Sequence, residues 1–359
     1  MFLLFDHPNL VLRKNFNQKK GTMSFTEEIV KKQKSKKSRI LREVEKTPVP
    51  LGIAFEGGGI CGLAHIGVCK YLEDQNLYSS LKFFSGASAG SMIAGLVACR
   101  VPFSKLKKIL LNFDFESLNN SNWLFIGNAY RLLNHYGWSD GQNIEEVYGK
   151  LLKEYVGDSE ITLGQIKEKF DSGLIISATS WKKRKSVYYA FDTHPDMKLK
   201  EAVRRSASYP INFSPAVQDK DFILDGGVLD NYPLRALYPY CEPDSVIGCK
   251  LISNDDPDKC PLIPKIQMVD DPERDQSKQS KRKSKEVADC SSLVEYLLGI
   301  LEIYQTFALR AHVHSEDWAR SLQINVGNIS ILDFKLSTTN KKWLVLQGFQ
   351  AAQNYFSSK

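Results

Sequence analysis

Three short stretches hold residues whose types and spacing could do chemistry. "GASAG", Gly86–Gly90, sets Ser88 between small neighbours, the arrangement in which a serine nucleophile occupies a tight strand-to-helix turn. Glycine on either side removes the Cβ clashes that such a backbone would meet. A helix starting directly after the serine would aim its first N–H groups at an oxyanion formed there. "EGGGICG", residues 56–62, puts Gly57, Gly58, Gly59 and Gly62 after an apolar run, and successive glycines of this kind expose backbone N–H groups to an anion. "ILDGGVLDN", residues 223–231, places Asp225 before Gly226 and Gly227. Standing exposed on a sheet-edge turn, that carboxylate could take the proton of a serine, which needs a base to act. An ordinary Asp-Gly turn is the bland reading of the same residues.

Two other chemistries compete for these motifs. Gly57, Gly59 and Gly62 also satisfy a dinucleotide-binding spacing, which expects an acidic residue about 20 positions on, at the end of the second strand. That strand reads "FFSG", and the nearest acids, Glu73 and Asp74, precede it. The nucleotide reading weakens accordingly. A serine-histidine-aspartate triad would draw on His7, His65, His135, His194, His312 or His314. His65 falls inside a helical pattern, so the triad rests on a late histidine such as His312, and no motif surrounds it.

The motifs require elements to hold them. Pro48 and Pro50 stop any helix, and residues 51–55 read as a strand. "ICGLAHIGVCKYLEDQ" follows with helical spacing, then strand "LKFFSG" and helix "SAGSMIAGLVACR". A strand, glycine turn and helix, repeated, predict a mostly parallel sheet covered by helices. Residues 103–172 read as mixed and mainly helical. "GLIISATSW", "SVYYAF", "FILDGG", "SVIGCKLIS" and "LQINVG" read as strands; "LKEAVRRSASYP", residues 291–315 and a segment near 340–355 read as helices. Residues 270–289 are charged and nearly free of apolar side chains, and are expected to form a mobile loop within the domain.

Composition narrows the setting. The 359 residues are 43% hydrophobic and 25% charged, ordinary for a chain with a sizeable core. No apolar run reaches the roughly 18 residues of a membrane span. The greasy start "MFLLF" is followed, not preceded, by basic residues, the reverse of a secretory signal. Seven cysteines without a CxxC pair suggest reduced thiols and a cytoplasmic setting. Residues 13–46 hold 12 Lys or Arg against 4 Asp or Glu, a net +8 within a chain of net +7. Residues 1–46 therefore read as a basic N-terminal arm, either a solvated tail or a peripheral contact with an anionic membrane surface. The arm has no aromatic interleaving and no nucleic-acid motif, so nucleic acid is not an expected partner.

From about residue 50 to residue 356 the chain resembles the patatin-like phospholipases. Gly57, Gly58, Gly59 and Gly62 match that family's oxyanion motif; Gly86, Ser88 and Gly90 its nucleophile motif; Asp225, Gly226 and Gly227 its Asp-Gly-Gly motif. "RRSASYPINFSPAV" also stands where the family has a similar segment. The resemblance implies a three-layer α/β/α fold with a mostly parallel central sheet over residues 47–359. It implies a Ser88–Asp225 dyad that cleaves acyl esters of lipids through an acyl-enzyme, with no cofactor and no metal. In the expected reaction Gly58 and Gly59, joined by Ala89, hold the oxyanion; some of the aromatics within residues 113–138 are read as a lid or acyl groove, and at least half of them as core packing. One departure stands out: relatives usually carry Arg or Lys where this chain has Cys61. Lys70 and Arg204 are the candidate replacements. If the missing cation supports the oxyanion, Cys61→Arg should raise turnover; if position 61 is tightly packed, it should cost stability instead. A lipid-binding protein with a decayed site is the alternative function. Head group and acyl position are not specified by these motifs.

Overall fold

Apolar strands buried on both faces make the centre of the molecule. A computed structural model describes residues 49–112, 132, 134–254 and 293–358; all belong to one compact unit, Pro48–Lys359. The basic arm, the charged segment 270–289 and residues 113–130 of the aromatic segment lie outside the described residues.

The elements in order are β1 (Gly52–Phe55), α1 (Ala64–Asp74), β2 (Phe83–Ala87), α2 (Ala89–Ala98), α3 (Phe103–Asn112), β3 (Gly137–Ser139), α4 (Gln142–Tyr155) and α5 (Leu163–Phe170). There follow β4 (Gly173–Ser180), β5 (Lys185–Ala190), α6 (Leu199–Ser206), β6 (Ile211–Phe213), β7 (Ala216–Gln218) and β8 (Asp221–Asp225). β9 (Val246–Ser253), α7 (Leu293–His312), α8 (Ser315–Trp318), β10 (Ser321–Gly327) and α9 (Thr338–Ser357) complete the described chain. The expected long strands and helices are present. The three-residue strands β3, β6 and β7 have no counterpart in the sequence pattern.

The main sheet runs β10-β9-β1-β2-β4-β8-β7, with β5 also on β4. Its β10-β9-β1-β2-β4 portion is parallel, and β5, β8 and β7 join antiparallel. Helices flank this mixed sheet, the three-layer arrangement expected. Every residue of β4 is buried, as a parallel strand covered on both faces must be. The two faces follow the pleat: Ile53, Phe55, Leu174 and Ile176 enter the large core, whereas Ala54 and Ile175 enter a smaller one with Tyr232 and Leu237. Helices α1 and α9 cross backbone to backbone, since a Cβ on Gly67 would lie 1.8 Å from Val345 O and one on Gly348 1.8 Å from Ala64 O.

The β4 ladder explains how distant motifs meet. β2 pairs with β4 up to Ala87 opposite Ser177. The next residue, Ala178, pairs with Asp225 of β8, while β5 occupies the other side of β4 over the same stretch. β8 therefore takes up the ladder where β2 leaves it, and the end of β8 falls beside the end of β2.

Candidate active site

Ser88 is the residue between β2 and α2, with φ 50° and ψ −124°. Positive φ is uncommon and strained for a residue with a Cβ. Close approach explains the flanking glycines: a Cβ on Gly86 would lie 2.4 Å from Gly90 O, and one on Gly90 2.3 Å from Phe55 O. The turn is tied from within and from outside. Ser91 donates to Ser88 O through both its Oγ (2.6 Å) and its N–H (2.9 Å). Ser88 N–H donates to Ser206 Oγ at 2.9 Å, and that hydroxyl donates to Ser177 O at 2.6 Å. The side of Ser88 that remains open faces a cavity of about 390 Å³, within the usual size range of small-ligand sites.

Asp225 lines the same cavity. The sequence allows an exposed sheet-edge turn, with partial burial needed to make the carboxylate basic enough; Asp225 is 1% exposed, because β8 lies between β4 and β7 rather than at the edge. Its backbone N–H donates to Ser208 O at 3.0 Å, and its Oδ1 accepts from Gly227 N–H at 2.7 Å. Oδ2 has no partner at conventional hydrogen-bond geometry, and the Ser88 hydroxyl acts on the carboxylate from a looser approach. Catalytic hydrogen bonds in ligand-free sites are often loose in this way. Burial pushes the Asp225 carboxyl up to about 7, against the opposing pull of Ser88 and Gly227 N–H.

The glycine loop between β1 and α1 forms the facing wall. Gly57, Gly58 and Gly59 line the cavity. Gly59 has φ 51°, and a Cβ there would sit 2.0 Å from Ile331 O, so no other residue fits. Gly57 N–H donates to Asn231 O and Asn231 Nδ2 donates back to Gly57 O, both at 3.0 Å. The Gly58 and Gly59 N–H groups have no partner among the described residues and remain as donors at the wall. Gly62 is not part of it: the residue lies against Ala89, whose Cβ would be 3.1 Å from a Cβ at 62. Gly226 is pressed on Ser177 O, 2.5 Å from where its Cβ would be, and Gly227 on Asn231.

Among the other wall residues, Glu56, Asn231 and Lys250 are polar side chains to which the sequence reading gives no role. Lys250 has one visible signal, a lysine in the middle of the apolar strand "SVIGCKLIS". Neither candidate cation occupies this wall. Lys70 pairs with Asp74 on the surface of α1, and Arg204 is engaged with Ser208 Oγ (2.5 Å), Asp140 O (2.7 Å) and Ser214 O (2.8 Å). No described histidine lines the cavity. His65 is fully buried with Nε2 2.8 Å from Glu56 O; burial lowers its pKa to about 4, so it is neutral and donates to that carbonyl. His314 caps α8 and faces Arg235. Of the aromatic segment, Tyr136 packs edge-on against Phe222 and Trp138 belongs to β3; neither borders the cavity.

Cys61 is 1% exposed, and its thiol, raised to about 12 by burial, donates to Ile329 O at 3.6 Å. Cys61 borders the cavity, but at 1% exposure a larger side chain meets packed neighbours, which favours the steric outcome. Cys61→Arg is expected to lower the melting temperature, since overpacking a core costs about 1–3 kcal/mol before any charge is buried. A thermal melt checks this; an unchanged melt with faster turnover would mean that the arginine reaches the cavity.

The structure thus brings together a serine on a strained elbow, a buried aspartate at the end of β8 and a glycine loop at the carboxyl ends of parallel strands, all bordering one cavity. The chain belongs to the patatin-like phospholipase family, whose model matches residues 53–238. It is 22% identical over 303 residues to the uncharacterised protein R571 of Acanthamoeba polyphaga mimivirus, covering 84% of this chain and 92% of that protein. The probable lipid hydrolase 463L of Invertebrate iridescent virus 6 is 26% identical over 188 residues, 52% of this chain and 63% of that protein. VipD from Legionella pneumophila has the same fold, with a TM-score of 0.55 at 18% identity over 87% of this chain and 67% of that one.

Proposed function

We propose that the protein hydrolyses acyl esters of membrane lipids, as a phospholipase A or lysophospholipase, with Ser88 as nucleophile and Asp225 as general base. The observation that carries this reading is the single cavity onto which Ser88, Asp225 and the Gly57–Gly59 loop all open. Asp225 takes the Ser88 proton as the serine oxygen attacks the ester carbonyl. The Gly58 and Gly59 N–H groups, with that of Ala89, hold the tetrahedral oxyanion, one such donor typically contributing about 3 kcal/mol. The alcohol or lysolipid leaves with the proton, and water, activated by Asp225, cleaves the acyl-enzyme. An aspartate is ordinarily too acidic for this work, with a reference pKa of about 3.9. A value near 7 brings the base into the range where proton transfer is efficient.

The experiment that tests the reading is mass-spectrometric analysis of products from a mixed lipid extract treated with the unaltered protein and with Ser88→Ala. Free fatty acid and lysolipid from the first alone support it; equal products from both overturn it. Vesicle binding without any product, from lipid or from a short-chain ester, is the signature of the alternative, a lipid-binding protein with a decayed site.

No helix of the described residues is long and apolar enough to cross a membrane. The +8 of residues 13–46 offers an electrostatic hold on an anionic leaflet, at about 1 kcal/mol per suitably placed cation. Deleting residues 1–46 is expected to leave hydrolysis of a soluble short-chain ester intact and to weaken action on anionic vesicles, most at low salt. Equal vesicle activity with and without the arm would return it to a solvated tail.

A further inference from the structure

The least expected pair beside the cavity is a buried ion pair. Glu56 is the last residue before the glycine loop, and Lys250 lies on β9; each is 3% exposed. Lys250 Nζ donates to Glu56 Oε1 at 2.7 Å and to Leu251 O at 3.2 Å. Glu56 Oε2 accepts from Leu251 N–H at 2.6 Å. Burying two charges is costly, and pairs of apolar residues often serve stability as well or better. Stability alone is therefore a poor account of why this pair is here.

Its place in the chain suggests another. Glu56 is held through its side chain by β9 and through its carbonyl by His65 Nε2. Two residues on, Gly58 stands in a loop fixed by hydrogen bonds on either side, Gly57 to Asn231 and Ile60, beyond Gly59, to Ile331. The free N–H groups of Gly58 and Gly59 thus hang from a backbone whose entry point is the Glu56 carboxylate. Glycines impose no stiffness of their own, and oxyanion donors act only if they are in place before charge develops.

We propose that Glu56 and Lys250 are positioning residues for the oxyanion loop: the ion pair fixes the entry of the glycine loop so that the Gly58 and Gly59 N–H groups are set towards the carbonyl that Ser88 attacks. This rests on the function proposed above. The pair touches no reacting atom; it acts through the loop. A loop that is set in advance serves the transition state more than the bound ester, so loosening it should reduce kcat and leave KM nearly unchanged.

The test uses the full chain with Lys250→Met, Lys250→Arg and the double variant Glu56→Gln/Lys250→Met, assayed on a soluble short-chain ester. Active sites are counted by fluorophosphonate labelling, so that misfolded protein does not enter the rate. Lys250→Met is expected to lose at least tenfold in kcat per labelled site, with KM within about twofold and the acid limb of the pH profile unmoved. Lys250→Arg, which keeps the charge, should recover most of the rate. Where Lys250→Met does not fold, the double variant removes both charges together and should show the same loss. A merely structural pair would lower the melting temperature and leave kcat per labelled site unchanged; that result, in either neutralised variant, overturns the proposal. Failure of the unaltered protein to label at Ser88 would instead remove the functional reading and this inference with it.

Discussion

Replacing Ser88 by alanine is expected to abolish ester hydrolysis while leaving the protein folded. Removing a serine nucleophile alone can cost on the order of 10⁶ in kcat, because the remaining groups work only as a unit with it. Here the loss should be near that size, since Asp225 has no other proton to take and the glycine loop no oxyanion to hold. Stability should change little. The main ties of the elbow run through the Ser88 backbone N–H and carbonyl, which alanine keeps, and alanine meets the φ of 50° with a Cβ just as serine does. Turnover of a short-chain ester, the thermal melt and labelling by a fluorophosphonate probe check the three parts. Labelling at another residue, or activity surviving in Ser88→Ala, would remove Ser88 from the mechanism.

The second large effect belongs to Asp225→Asn, which should reduce turnover by roughly 10⁴-fold and change stability in a direction that depends on pH. The unaltered carboxyl ionises near 3.8 when the chain is unfolded and near 7 when folded, chiefly because of burial. Between those values the folded state holds a proton that the unfolded state has lost. Stability therefore falls as pH rises across the window, and above about pH 7 the full cost of a buried charge is present. A tenfold difference in proton affinity between the two states is worth about 1.4 kcal/mol, so this cost is on the order of a few kcal/mol. Asparagine carries no charge and can still accept from Gly227 N–H. Asp225→Asn should thus melt higher than the unaltered protein at pH 8, with the difference shrinking towards pH 4. In the proposed reaction the same ionisation acts in the opposite sense: only the carboxylate can serve as base, so kcat/KM should rise with pH through a midpoint near 7. A flat profile from pH 5 to 9, or a mutant less stable at pH 8, would show that Asp225 is not the base or is not held as described.

The residues whose roles are local were legible in the sequence. Gly86, Ser88 and Gly90 are forced by one sharp turn, and Gly59 by a left-handed backbone, so type and spacing within a few residues carry the information. What the sequence could not show depends on which strand lies beside which. Asp225 reads as an exposed turn aspartate because Asp-Gly usually is one; only the succession of β2 and β8 along β4 buries it beside Ser88. Asn231 and Lys250 reach the glycine loop through β9 and the segment before it, contacts for which no local pattern exists. The strands β3, β6 and β7 are too short to show an alternation. The departure at Cys61 is read from the motif's spacing, whereas the thiol's contact with Ile329 O is a tertiary fact.

The position of β9 has a consequence for how the molecule is made. β1 is among the earliest parts of the domain to leave the ribosome, and one of its two edges is paired by a strand that begins only at Val246. Until that strand is delivered, the hydrogen-bonding edge of β1 stands open, a template for wrong pairing. The serine elbow and the aspartate turn can both form in such a nascent chain, but the root of the glycine loop has nothing to fasten to. A translation product that stops where the family match ends, at residue 238, would hold Ser88 and Asp225 and still leave one edge of β1 unpaired. On the function and the loop-positioning role proposed above, such a product should be inactive, because Lys250 and the Leu251 N–H that hold Glu56 are not yet made.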